Sequence, residues 1–414
     1  MTFHKNIKIW LPLLLSCGSF FLSFGQANWA VFNDVNSALP NNTIRCLLVD
    51  HQNHLWVGTD NGLAQFDGEN WQVYSSSNSP LADNYIRALA VDNSNNLYIG
   101  TTLNGIYKFD GVNWLSINTS NSAIPDNFIR TITIDQQQRM WVGTVEGFAC
   151  LDQGNWTTWN SANAGLLSNN ITSIACTPAT QYVGTINGGL IYLSNQVITN
   201  YTLLSSGVPD NSVISVQLDQ LNRPWFGSTA QGIFTDNGNQ TWLSFNVLNS
   251  PLPSNSITAF ELDGNDNFLI GTHQDGFVLR ENNSDWFHYN TDNSPLPDNH
   301  VLSCTRDSNQ VIWIGTNNFG LVKLWTSQAS IDEVEKSAVH VYPNPINVGS
   351  KLNWNFKDNF TEIRMHSLTG ELIWSSNLEP GQSNIEFPIL HSSLVLVEWL
   401  SDRDRIKKLV QVIH

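Results

Sequence analysis

Short apolar runs alternate with turns rich in Asn, Asp, Gly and Ser from about residue 27 to residue 326. Seven of these runs end in a Gly-Thr or Gly-Ser step, at Gly58, Gly100, Gly143, Gly184, Gly227, Gly271 and Gly315, spaced by 42, 43, 41, 43, 44 and 44 residues. A period of about 40–45 residues marks a propeller blade or a solenoid unit. In the second unit, Asn84 to Asp92, Asn96 to Thr101, Gly105 to Phe109 and Trp114 to Ile117 are four apolar runs divided by turn residues. That pattern predicts a four-stranded antiparallel meander. Asp67-Gly68 and Asp110-Gly111 suit tight hairpins, because both residue types tolerate positive φ.

A second glycine follows four or five residues after the first, at Gly62, Gly105, Gly147, Gly188, Gly232, Gly276 and Gly320. It is expected to turn the backbone between the second and third strands, where a Cβ would clash. Trp71, Trp114, Trp156, Trp242 and Trp286 open the outermost strands. Large aromatics recurring at one position suit the wedge between neighbouring sheets. The seventh unit stops after its third run, Leu321 to Trp325, while Asn28-Trp29-Ala30-Val31-Phe32 matches the outer strand Asn70-Trp71-Gln72-Val73-Tyr74. The first strand should therefore complete the last blade, leaving no open sheet edge. The expectation is an all-β chain: a seven-bladed β-propeller over 27–326, closed by its N-terminal strand, plus a small C-terminal β-sandwich over 339–414.

Residues 1–25 read as a signal peptide, with Lys5 and Lys8 before an apolar stretch from Ile9 to Phe24 and small residues ahead of Gln26. Leu14-Leu15-Ser16-Cys17 also fits a lipobox, so a lipid anchor at Cys17 stays open. No other segment is long and apolar enough to span a bilayer as a helix. The chain is expected to be exported, with no transmembrane anchor, and monomeric. A formal net charge of −16 argues against nucleic acid or an anionic membrane as the main partner. Cys46, Cys150, Cys176 and Cys304 lack metal-ligand spacing and read as buried thiols, with a Cys46–Cys304 disulfide across the ring closure left open. No cofactor is expected.

The step Leu55-Trp56-Val57-Gly58-Thr59, its continuation from Gly62 to Gly68, and the inter-blade run Ile124 to Ile129 resemble the two-component regulator propeller repeat. The resemblance covers all seven units. It implies the fold of periplasmic sensor domains that recognise oligosaccharides in hybrid histidine kinases of Bacteroidetes-type bacteria. This sequence carries no kinase or DNA-binding segment beside it, so signal transduction is not carried over. Composition shifts after Trp325, and 327–338 reads as a polar, acidic linker. The start Tyr342-Pro343-Asn344-Pro345, the step Ser367 to Leu372 with Gly370, and the basic, β-rich end Arg405 to Val410 resemble the C-terminal sorting domain of type IX secretion cargo. The penultimate strand opens with Ser392-Ser393-Leu394 where that family has a glycine and an aromatic. This second resemblance implies partnership with the type IX machinery, export across the outer membrane, tail removal within 326–338, and anchoring or release at the cell surface. A small adhesive β-domain that stays attached is the other reading.

Against seven near-identical units, unequal positions stand out. Counting from the aligned Asn42, Asn84, Asn127, Asn169, Asn211, Asn255 and Asn299, the third following residue is Arg45, Arg87, Arg130, Thr172, Ile214, Thr258 and Leu302. These positions fall on the face where loops over a rigid ring would hold a ligand. Arginine forks bind carboxylates and sulfates, so one reading is an anion or acidic-sugar site. The other is inter-blade salt bridges, for example to Asp83 and Asp126. Tyr85, Phe128, His300 and Phe319 are candidates to stack on sugar faces, or to pack. His273, Asp275 and His300 share that face and loosely resemble the histidine-bearing mouth of streptogramin lyases, which keeps a lyase or hydrolase as the alternative to a non-catalytic binder of a glycan or protein. No third metal ligand stands out. Asp263-Gly264-Asn265-Asp266-Asn267 has oxygen-rich spacing but lacks the bidentate Glu of a calcium loop, and reads as a hairpin turn.

Overall fold

A computed structural model describes residues 27–238 and 241–326, together with 341–342, 346–347, 350–354, 361–366, 372–379, 382–386, 394–400 and 405–413. The chain divides into two compact units, one reaching Thr326 and one from Ser327. The expected signal segment 1–25 and linker 327–338 lie outside the described residues.

The first unit is a ring of seven four-stranded antiparallel sheets. Blade 1 comprises Ile44–Val49, Leu55–Thr59, Gly62–Phe66 and Trp71–Tyr74, in chain order from the inner to the outer edge. The inner strands of the next six blades are Ile86–Val91, Ile129–Ile134, Ile171–Cys176, Val213–Leu218, Ile257–Leu262 and Val301–Arg306. Blade 7 adds Ile312–Thr316 and Leu321–Thr326, and its outer strand is Ala27–Phe32, paired from Ala27 opposite Thr326 to Phe32 opposite Leu321. The N-terminal strand closes the ring.

Each blade is sealed to the next by side chains that alternate along its strands. The first residue of every inner strand, Ile or Val, is fully or almost fully buried. It packs against the second-strand glycine of the preceding blade: a Cβ on Gly100 would stand 2.6 Å from Cγ2 of Ile129. This close approach is why the Gly-Thr step repeats. The outer-strand tryptophans pack into the same inter-blade clusters, with Trp71 stacked on Phe66 (4.6 Å) and Trp114 on Phe109 (4.4 Å). Trp29 fills that place at the closure, edge-on to Tyr289 at 5.2 Å. All four cysteines of the described residues are free, so no disulfide joins Cys46 to Cys304.

Backbone hydrogen bonds complete the circle. The N–H of Gly62 donates to the Asn84 carbonyl of the next blade (2.8 Å), Gly105 to Asn127, Gly147 to Asn169, Gly189 to Asn211, Gly232 to Asn255, Gly276 to Asn299, and Gly320 returns to Asn42 (2.9 Å). The side chains of the same seven asparagines accept a backbone N–H eight residues upstream, at 2.7 to 2.9 Å. In the fourth blade the glycine that makes this bond is Gly189, at φ +78°, and not Gly188. A Cβ at Gly189 would run into the Tyr201 carbonyl, so the expected position moves by one residue.

The opposite face is built from aspartate turns. Asp135 accepts the N–H groups of Gln137 and Arg139 (3.0 and 2.9 Å) and the Trp141 indole N–H (2.9 Å). Asp263 uses its oxygens the same way, on the N–H groups of Asn265 and Asn267, the Asn267 amide and Arg306. The Asp263–Asn267 run is thus the ordinary blade turn.

In the second unit, Val341–Tyr342, Lys351–Trp354 and Asn384–Glu386 form one sheet, and Ile346–Asn347, Arg405–Ile413, Leu394–Leu400, Glu362–His366 and Leu372–Asn377 form the other. Leu352 and Trp354 of the first pack with Ile363, Met365, Val395, Val397 and Trp399 of the second. Asn384–Glu386 and the two-residue strands carry too short an apolar run to be seen in the sequence. Tyr342 lies in a strand; Pro343, Asn344, Pro345 and Gly370 are outside the described residues. Among the described residues no helix is long and apolar enough to cross a membrane.

Deleting residues 27–32 should expose the Leu321–Thr326 edge and remove the Trp29 wedge. The expected outcome is a loss on the order of 3 kcal/mol or more in denaturant unfolding, with concentration-dependent association in size-exclusion chromatography. A truncated chain as stable and monodisperse as the parent would show that the first strand does not close the ring.

Candidate functional site

In all seven inner strands the ladder skips one residue: register shifts fall between Ile44 and Cys46, Ile86 and Ala88, Ile129 and Thr131, and at the matching place in the other four. The skipped residues are Arg45, Arg87, Arg130, Thr172, Ile214, Thr258 and Leu302, the third residue after each clasp asparagine. A bulged residue leaves the ladder and its side chain is re-aimed. Thr172 and Thr258 turn theirs to the Val213 and Val301 carbonyls, and Ile214 packs between blades. The three arginines are the exceptions.

Their partners weaken from blade to blade. Arg45 is held bidentately by Asp60, with Nε and Nη2 donating at 2.6 and 2.7 Å. Arg87 has only a long Nε bond to Thr102 Oγ1, at 3.4 Å. Arg130 makes no hydrogen bond among the described residues, and its Nε is buried without a partner. Both Asp60 and Thr102 lie fifteen residues after their arginine, in the loop between second and third strands; the same place opposite Arg130 is Val145. Phe128 touches the last two, its ring centroid 5.4 Å from the Arg87 guanidinium and 5.6 Å from that of Arg130. Burial, then the charge of Arg45, holds Arg87 below the usual arginine value. Burial, then Arg87, does the same to Arg130. The expected salt bridges to Asp83 and Asp126 do not form. Asp83 accepts the N–H groups of Tyr85 and Leu103 (3.0 and 2.7 Å), and Asp126 that of Phe128 (2.6 Å).

The other side of the arc, on blades 6 and 7, holds the histidines. Nδ1 of His273 and Nε2 of His300 lie 3.2 Å apart, with ring centroids 4.4 Å apart. They border a cavity of about 290 Å³ with Gln274, Asp298, Asn299, Asn317, Asn318 and Phe319. Burial, then His273, lowers the pKa of His300; Arg45 adds to this and Asp298 opposes it. Arg45 thereby links the two halves electrostatically. Asp275 is not brought to the pair: its carboxylate bonds neither imidazole, and its carbonyl accepts from His288. Tyr85 and Phe319 are about half exposed (49% and 54%), so their rings are free to meet a ligand. A larger cavity, about 480 Å³, lies at Pro125, Glu146, Asn160 and Asn169 and includes none of the candidate residues. Among the described residues no three His, Cys, Asp or Glu side chains are grouped to hold a metal.

Comparison with known proteins finds likenesses to part of the sequence and to the fold. Residues 38–61, 80–102, 123–146 and 295–318 match the two component regulator propeller family. No match was found among curated proteins. Among solved structures the chain is similar to the extracellular domain of a hybrid two component system from B. thetaiotaomicron, at 20% identity and TM-score 0.63, covering 94% of this chain and 55% of that one. It is also similar to PorZ of Porphyromonas gingivalis, an essential bacterial surface component of the type-IX secretion system, at 16% identity and TM-score 0.59, covering 93% of this chain and 61% of PorZ. Virginiamycin B lyase from Staphylococcus aureus matches at 12% identity and TM-score 0.58, over 72% of this chain and 99% of the lyase. These likenesses are of fold. The chain spans less than two thirds of the length of the first two.

By NMR of the imidazole protons, His300 should titrate below the ordinary value of 6.5. His273→Gln removes a like charge and should move that midpoint upward. A parent midpoint at or above 6.5, or no movement in the variant, would contradict the coupling.

Proposed function

We propose that this chain is an exported β-propeller that binds an oligosaccharide, a polysaccharide or a protein at its mouth without transforming it, and that type IX secretion delivers it to the cell surface or the medium. The observation that carries the reading is the asymmetry of the seven bulge positions. The ring offers the same place seven times, and only on blades 1 to 3 is it filled by arginines, flanked by Tyr85 and Phe128 and, across Arg45, by the histidine cavity. Donors of this kind, beside exposed rings, match a ligand with hydroxyls and carboxylates. The extracellular and surface settings of the matched structures support export, and the resemblance of the tail sequence to sorting domains supports its route.

A second reading, a lyase or hydrolase at the same mouth, is favoured by the His273–His300 contact and by the lyase fold match. Incubating the purified chain with a glycan panel and recovering the ligand separates the two. Saturable binding with intact ligand is expected. Cleaved ligand, lost with His300→Ala, would favour the enzyme. For the route, a chain ending at Thr326, expressed in a type IX-competent host, should stay in the periplasm; surface delivery equal to that of the full chain would refute the sorting role.

A further inference from the structure

We infer that Arg87 and Arg130, both in contact with the ring of Phe128, form an anion subsite for a single carboxylate or sulfate carried on an otherwise uncharged saccharide. The inference rests on the mouth being the ligand site. Two guanidinium groups from adjacent blades are held against one ring, 5.4 and 5.6 Å from its centroid, with no carboxylate paired to either. Like charges placed together and partly desolvated cost free energy unless a counter-charge arrives. The fold had acids to hand. Asp83 and Asp126 precede these strands, yet both are turned to backbone N–H groups. Blade 1 shows the compensated form, with Asp60 occupying the fork of Arg45; at the matching places, blade 2 has a hydroxyl and blade 3 has Val145.

The unspent donors say what fits. Arg87 spends one long bond and Arg130 none among the described residues, and the Nε of Arg130 is buried. Planar guanidinium forks match planar carboxylates and the oxygens of a sulfate. Phe128 attracts both guanidinium groups through cation–π contact, so it acts as a positioning residue, and the exposed ring of Tyr85 is left to meet the sugar. A densely charged polyanion is disfavoured by the net charge of −16.

The test uses the full chain and four probes in calorimetry: a neutral tetrasaccharide, the same molecule with one glucuronate, the same with one sulfate, and heparin. The glucuronate or sulfate form should bind about tenfold or more tighter than the neutral one, and whichever gains more names the anion. Arg87→Gln and Arg130→Gln should each erase most of that preference and hold or raise the Tm. Arg45→Gln should change the preference less than about threefold, because Asp60 already neutralises it. Equal binding of neutral and acidic forms would overturn the subsite while leaving the mouth as a glycan site. Failure of every saccharide would overturn both. Heparin binding tighter than the mono-anionic probes would overturn the isolated-charge assignment, and an Arg45→Gln loss equal to that of Arg130→Gln would overturn the assignment to the blade 2–3 pair.

Discussion

One hydrogen bond, made seven times, holds the ring and places the mouth: the glycine N–H at the start of each third strand donates to the asparagine carbonyl just before the next blade's inner strand. A backbone bond of this kind is worth only about 1 kcal/mol net, yet leaving both groups buried and unmade would cost several times that. The glycine must be glycine because a Cβ would meet the carbonyl that ends its own outer strand. The asparagine must be asparagine because its side chain also ties down the preceding turn. Loops that would otherwise wander are thereby fixed at both ends, and the residues that follow each asparagine are delivered to the same height around the axis.

On that fixed rim the electrostatics differ by sector. Blade 1 carries a neutralised arginine, blades 2 and 3 carry arginines with no carboxylate hydrogen-bonded to them, and blades 6 and 7 carry two imidazoles within 3.2 Å of each other. Protonating His300 places a further cation near Arg45, which is part of why it holds its proton less readily than a free histidine. The mouth is a region where stability is given up locally, set into inter-blade packing that is apolar and closely matched throughout.

Much of the fold was legible. Glycine spacing gave the blade, and the likeness of Asn28–Phe32 to Asn70–Tyr74 gave the closure, because each records a contact that every blade repeats. The miss at Gly188 arose because the sequence shows two glycines and only backbone geometry tells which has positive φ. The mouth was half legible. The arginines are visible as exceptions, but the acids that precede them, Asp83 and Asp126, are misleading as partners, because their short spacing favours capping the next N–H groups. The signal that would have found Asp60 was the fifteen-residue offset to the facing loop, where Asp60, Thr102, Val145 and His273 align. Asp275 sits two residues beyond that position and so misses the histidine pair.

The bulge in each inner strand bears on how such a protein changes over time. Its residue takes no part in the strand ladder or in the glycine–asparagine bond, so those two constraints do not fix its identity, although Thr172, Ile214 and Thr258 add contacts to the neighbouring blade. Arg, Thr, Ile and Leu all occupy it here on near-identical backbones. Seven sites of this kind act as settings on one frame, and a lineage, or an engineer, can exchange one specificity for another by resetting a few of them while the ladder and the glycine–asparagine bonds stay as they are.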